Sequence, residues 1–212
     1  MKSVGICGGI ASGKTTLTRA LERLGFPVVF VDRIGHQALE QPTLRTQLEA
    51  TFGPTIMDSA GQVDRRALGR VVFGAPAQMA KLNSIVHPWM VERVQQQLHA
   101  RQQQGYAHVV VEAAVLYTMG LHTVVQAVVY VFSPVERRVE WLKARNHMQR
   151  EQALQRIAQE DHPPAAHPPD LVVRNDGSLG QLVNGASKVA EWVYAGFSPR
   201  GWTLCTSQLD GL

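Results

Sequence analysis

The sequence predicts an α/β fold of three layers, with a parallel sheet of about five strands covered by helices on both faces. Three observations lead there. A strand, a glycine turn, an amphipathic helix and a second strand follow one another within the first 32 residues, the βαβ unit of a parallel sheet. Later runs, HVVVEAAVLY (108–117) and QAVVYVF (126–132), are apolar at successive positions, as strands buried on both faces are. The chain has 212 residues, 45% of them hydrophobic and 18% charged, which suits one domain with an insertion.

Each element has its own signal. KSVGIC (2–7) is a short apolar strand running into glycines. In residues 14–24, Leu17, Ala20, Leu21 and Leu24 recur at helical spacing, and Gly25 ends the helix. FPVVFVD (26–32) reads as the second strand, ending at Asp32. Residues 33–104 are mainly helical, broken at Pro42, Gly53-Pro54, Gly61 and Pro76, with a further helix start at His87-Pro88. After the two apolar strands, helices are predicted from Pro134 and over 149–159. DHPPAAHPP (161–169) holds four prolines and cannot be helical throughout. DLVVRND (170–176) is the last predicted strand and 179–193 a closing helix. Residues 196–212 lack periodicity and are expected to form a mobile tail in which Trp202 and Cys205 pack on the body or dangle.

The first turn carries chemistry. Gly8, Gly9, Ile10, Ala11, Ser12, Gly13, Lys14 and Thr15 match G-x-x-x-x-G-K-[ST] at every defined position, with Thr16 beside them at the head of the helix. Glycines let the backbone curl until successive N–H groups point inward, and the following helix adds its positive end. Lys14 sets an ammonium against the β- and γ-phosphates, and the Thr15 hydroxyl suits Mg²⁺. The pattern predicts a P-loop NTPase fold that binds a nucleoside triphosphate, and leaves GTPase, motor, transporter ATPase and kinase open.

Composition narrows the partners. The formal net charge is +4, from 21 basic and 17 acidic residues with no dense Lys/Arg run. A nucleic-acid face is not expected, because arginines neutralising a polyphosphate explain the same excess. No apolar run is long enough to span a membrane, and the N-terminus enters a strand without a signal-peptide core, so a cytoplasmic protein is expected. Cys7 and Cys205 lie at opposite ends, and Cys7 reads as a small core residue in a reducing compartment.

Beyond the phosphate loop, several separate segments resemble the dephospho-CoA kinase family. GICGGIASGKTTLTRALERLGFPVVFVDRIGHQ is similar to its glycine-rich loop, helix and second strand with its aspartate. QLEATFGPTIMDSAGQVDRRALGRVVF, KLNSIVHPWM, EAAVLYTMGL and RNDGS resemble its later segments, and the resemblance runs to about residue 195. It implies transfer of the ATP γ-phosphate to the ribose 3′-hydroxyl of dephospho-CoA, with Mg²⁺ as cofactor, by a monomer or weak homo-oligomer. It also implies one kinase domain over 1–195, with its core in 1–32, 105–136 and 166–195. A helical acceptor-binding insertion then occupies 33–104 and a short helical lid 137–165.

Residue roles follow partly from the resemblance and partly from chemistry. Asp32 is the implied carboxylate near the acceptor hydroxyl, taking its proton or orienting it and the Mg²⁺; its plain reading is an N-cap for a helix from Arg33. Glu112 closes the third strand and is assigned to Mg²⁺ or its water, or to a supporting hydrogen bond. Arg137, Arg138, Arg145 and Arg150 belong to the lid, with Arg145 the first choice for stabilising the transferring phosphoryl group and Arg138 a contact to ATP. Asn175 and Gly177 resemble the segment beside the adenine. Arg65, His87 and Tyr117 are assigned to the dephospho-CoA side. Asp64 also reads as an N-cap, and His87 equally as a structural residue at a helix start.

The match departs at three places. The family has D-A-D where this chain has Phe30-Val31-Asp32; it often has a glutamate after the pocket aromatic, where Thr118 follows Tyr117; and its charged segment after the lid is DHPPAAHPP here. Proline there is expected to stiffen the lid connection and slow turnover. These departures motivate two further readings, a kinase with another acceptor and a nucleotide-dependent module without catalysis.

Overall fold

The computed structural model describes residues 1–158, 160 and 162–208. The chain folds as two compact units, one of Met1–Phe30 with Leu98–Leu212, the other of Val31–Gln97.

The first unit is built on a six-stranded parallel sheet in the order β2-β3-β1-β4-β5-β6. Its strands are β1 (Lys2–Gly8), β2 (Val28–Phe30), β3 (His108–Glu112), β4 (Ala127–Phe132), β5 (Leu171–Arg174) and β6 (Trp202–Cys205). Alternate residues face opposite ways along each strand. Val4, Ile6, Val110, Val129, Val131, Leu171 and Val173 share one core with residues of α1 (Lys14–Arg23) and α8 (Leu179–Tyr194). The intervening Val109, Val111 and Val128 are buried as well. The sheet is thus apolar on both faces, as the runs of valine predict. α6 (Val135–Asn146) and α7 (Arg150–Ala158) pack on each other after β4, around Val139, Leu142, Ala153 and Ile157.

The second unit is helical. It holds α2 (Val31–Glu40), α3 (Pro42–Phe52), a 3₁₀ turn at Pro54–Ile56, α4 (Arg65–Val72) and most of α5 (Pro76–Gln103). Leu44, Leu48, Ile56, Leu68 and Val72 are buried. The Asp64 carboxylate caps α4 by accepting from Arg66 N (2.8 Å) and Ala67 N (3.2 Å), which holds its pKa down.

Several expectations are corrected. The second strand stops at Phe30 and a helix begins at Val31, so Asp32 lies in the first turn of α2 rather than at a strand end or N-cap. An acid there is favourable against the helix dipole. The third strand ends at Glu112 instead of running to residue 117, and Tyr117 falls in a turn. Pro88 does not start a helix. It sits inside α5, where the missing N–H costs one backbone hydrogen bond while the flanking turns persist. Gln159 and Asp161, from the predicted helix end and the proline segment, lie outside the described residues, as do 209–212 of the tail.

The segment read as a mobile tail forms β6, a sixth strand beside β5. Leu204 enters the main core. Gly201 N donates to Asp170 O (2.6 Å) and Arg200 Nη1 to Asp170 Oδ1 (2.8 Å). Thr206, fully buried, accepts from the amides of Asp176 (3.2 Å) and Gly177 (3.1 Å). Thr206→Val keeps the shape and removes that acceptor. We expect it to lower the unfolding free energy by about 1–3 kcal/mol in denaturant titration; a loss below about 0.5 kcal/mol would show that the two amides find another partner.

Candidate active site

β1 leads into the turn Gly9–Gly13, and α1 begins at Lys14. Gly13 has φ 99°, and a Cβ on it would lie 2.6 Å from Asn175 Nδ2 and 2.7 Å from Leu182 Cδ2, so glycine is required here on both counts. No side chain caps α1 and its first turn holds no acid. Its N-terminal amides and dipole therefore present uncompensated positive potential, a ready anion site. Lys14 Nζ donates to Gly9 O (3.0 Å), which holds the ammonium over the loop. The buried Ser12 hydroxyl has no hydrogen-bond partner among the described residues, as expected of a group awaiting a ligand.

A cavity of about 540 Å³ opens on this turn. It is lined by the loop and helix start, Ile10 to Thr16. Trp141 and Leu142 from α6 and Leu179 and Leu182 from α8 give it apolar walls. Lys14, Arg145 and Arg156 line it, and no acidic side chain does among the described residues. Such a lining suits a ligand that joins an anionic group to a flat apolar ring.

Thr15 and Glu112 come together at the C-terminal end of β3, where Thr15 Oγ1 donates to Glu112 Oε1 (2.7 Å). Glu112 is buried and in register with Ile6 of β1 and Phe30 of β2. A hydroxyl beside a carboxylate is a donor pair that fits Mg²⁺, which keeps several waters and takes one or two protein ligands with phosphate oxygens.

The remaining predicted residues divide. Arg145 lines the cavity, and so does Arg156, which sequence reading did not single out because nothing in a polar helix sets one arginine apart. Asn175 lines it too, but its side-chain amide donates to Ser12 O (2.9 Å), so it supports the loop. Gly177 is not among the lining residues; its amide is held by Thr206 and its carbonyl by Arg137. Gly8 and Gly9 shape the loop without lining the cavity. Arg138 is also absent from the lining and is buried, its Nε donating to Ile10 O (2.8 Å). Arg150 makes a two-point pair with Glu136 (2.7 and 2.8 Å), whose carboxyl it holds below its ordinary range.

On the expected acceptor side, Tyr117 is buried with its ring 5.2 Å from that of His122. Phe30, where the resemblance has an acid, receives the Arg19 guanidinium over its ring at 4.6 Å. In the helical unit Asp32 is exposed in the first turn of α2, and Arg65 lies 3.9 Å from Glu40. His87 is half-buried in α5, and burial pushes its pKa below 6.5.

Comparison with known proteins gives a consistent set of findings. A family model described as dephospho-CoA kinase matches residues 2–181. A dephospho-CoA kinase of Latilactobacillus sakei is 38% identical over 192 residues, 90% of this chain and 95% of that protein. Among solved structures, TT1252 from Thermus thermophilus has a TM-score of 0.73 at 29% identity, covering 90% of this chain and 96% of that one. A dephospho-CoA kinase from Campylobacter jejuni shares the fold, with a TM-score of 0.58 at 20% identity over 91% of this chain and 97% of that one.

The depressed pKa of His87 has a consequence for stability. The unfolded chain takes up its proton near pH 6.5 while the folded chain keeps the imidazole neutral, so His87 favours folding above that pH. Its contribution is lost as pH falls from about 6.5 through the folded-state value. Thermal melts from about pH 7.5 to about pH 5 should show a smaller drop in Tm for His87→Gln than for the wild type.

Proposed function

The chain belongs to the dephospho-CoA kinase family, and from that premise we propose which of its residues carry the reaction. The enzyme transfers the γ-phosphate of ATP to the ribose 3′-hydroxyl of dephospho-CoA, giving coenzyme A and ADP, the last step of coenzyme A biosynthesis. The observation that carries the assignment of the ATP site is the cavity on the uncapped N-terminus of α1, lined by Lys14, Arg145 and Arg156 together with apolar side chains of α6 and α8.

ATP lies with its base against Trp141, Leu179 and Leu182 and its phosphates on the amides from Ala11 to Thr16. Lys14 contacts the β- and γ-phosphates. Arg145 and Arg156 face the phosphoryl group as charge spreads over its equatorial oxygens. Thr15 and Glu112 hold Mg²⁺, which when bound neutralises charge on the β- and γ-phosphates. The Asp32 carboxylate takes the proton of the acceptor hydroxyl as its oxygen bonds to the γ-phosphorus and the bond to the β-phosphate oxygen breaks. Arg65, His87 and Tyr117 bind the dephospho-CoA side.

No described helix is long and apolar enough to cross a membrane. Both cysteines are thiols rather than a disulfide, which supports a cytoplasmic location.

With ATP and Mg²⁺, the purified protein should release ADP in the presence of dephospho-CoA and not with nucleoside monophosphates, and chelating the metal should stop it. Lys14→Ala should lower kcat/KM by about 10²–10³-fold with an unchanged circular dichroism spectrum. A variant within a few-fold of wild type would refute the role given to the loop lysine.

A further inference from the structure

Four side-chain and backbone groups meet at the phosphate loop, and the two side chains among them do not line the cavity. Glu160, just after α7, accepts from the backbone amide of Ile10 (2.5 Å). It also pairs with Arg138 of α6, and each side chain is only 6% exposed. The Arg138 Nε donates to the carbonyl of the same Ile10 (2.8 Å). Both polar groups of one loop residue are therefore taken by two partners that are themselves an ion pair. A Cβ on Gly9 would collide with both Glu160 oxygens and with the Arg138 guanidinium, so a glycine at this undefined position of the motif leaves room for the pair.

The loop needs such a hold. Ala11, next along, has φ 58°, a left-handed conformation that an L residue disfavours unless its surroundings impose it. The side chains of Ile10 and Ala11 pack on the small core of α6 and α7 with Val139, Leu142, Ala153 and Ile157, so apolar contact and the ion pair act on the same two residues. A buried ion pair seldom adds net stability, because desolvation offsets the attraction; what it fixes is geometry.

We propose that Arg138 and Glu160 are positioning residues for ATP: a clamp that sets the phosphate loop in its nucleotide-binding shape by gripping the Ile10 peptide groups. Neither lines the cavity assigned to ATP. Arg138 thereby acts on ATP through the loop backbone, in place of the direct contact expected from its position in the lid. The inference rests on the ATP site assigned above.

The test is isothermal calorimetry of ATP binding, with steady-state kinetics, for Arg138→Gln, Glu160→Gln and the double variant. Each single change should weaken ATP binding on the order of tenfold and raise KM for ATP, leaving KM for dephospho-CoA unchanged. The double variant should be no worse than the poorer single one, since either change opens the clamp. Arg138→Lys keeps the charge but cannot grip carbonyl and carboxylate together, and should fall between; it also serves if a glutamine variant does not fold. ATP binding by Glu160→Gln equal to or tighter than wild type would overturn the proposal, the tighter result marking the carboxylate as a blocker of the loop. Failure of the wild type itself to bind ATP would sink the site assignment instead, which separates the two.

Discussion

The structure turns on a short stretch of backbone whose polar groups must remain directed at a ligand. Between β1 and α1 the chain forms no side-chain cap and places no acid in the first helical turn. That arrangement is costly for a helix on its own, since capping and charge compensation at this end ordinarily stabilise it. It persists because the neighbours hold the loop from behind. Asn175 takes Ser12 O, Arg138 takes Ile10 O, and α8 packs along α1 through the main core. These contacts leave the loop at a cavity whose described lining holds cationic, neutral polar and apolar side chains and no acid.

The arginines of α6 and its neighbours divide their work by what surrounds them. Arg137 reaches the carbonyls of Asp176 and Gly177 and lies 5.4 Å from the Trp141 ring centroid, so it ties the segment before α8 to a wall of the cavity. Arg150 joins α7 to α6 through an exposed pair with Glu136, a contact that salt screens and that contributes little. Arg145 and Arg156 are exposed on the cavity and have no such assignment in the described fold. Position on one helical face did not separate these roles. Arg138 and Arg145 are seven residues apart, yet one is buried against the loop backbone and the other lines the cavity.

Much of this was legible because the information is local. The strand, loop and helix from Lys2 to Arg23 are contiguous, each with its own pattern, and the Thr15–Glu112 pair follows once Glu112 ends β3, the neighbour of β1, and Thr15 lies in the first turn of the helix after β1. What was not legible depends on distant partners. β6 is four residues with no alternation, and it is a strand only because β5, some thirty residues earlier, offers a free edge and Thr206 anchors its end. Pro88 looked like a helix start because proline favours that position, but a 28-residue helix absorbs the loss of one hydrogen bond. Asp32 was misplaced by two residues' worth of secondary structure, since FPVVFVD carries no signal for a helix beginning inside it.

The same distinction explains why the x positions of the loop are what they are. The motif leaves residues 9 to 12 undefined, and reasoning from phosphate chemistry alone gives no preference among them. Here Ile10 and Ala11 are apolar because α6 and α7 lay a small core on them, and residue 9 is glycine because an ion pair fills the space a side chain would need. Those choices belong to the helical pair as much as to the nucleotide. A change in α6 or α7 would therefore reach the phosphate loop through packing and through the Ile10 peptide groups, without any residue of the cavity being altered.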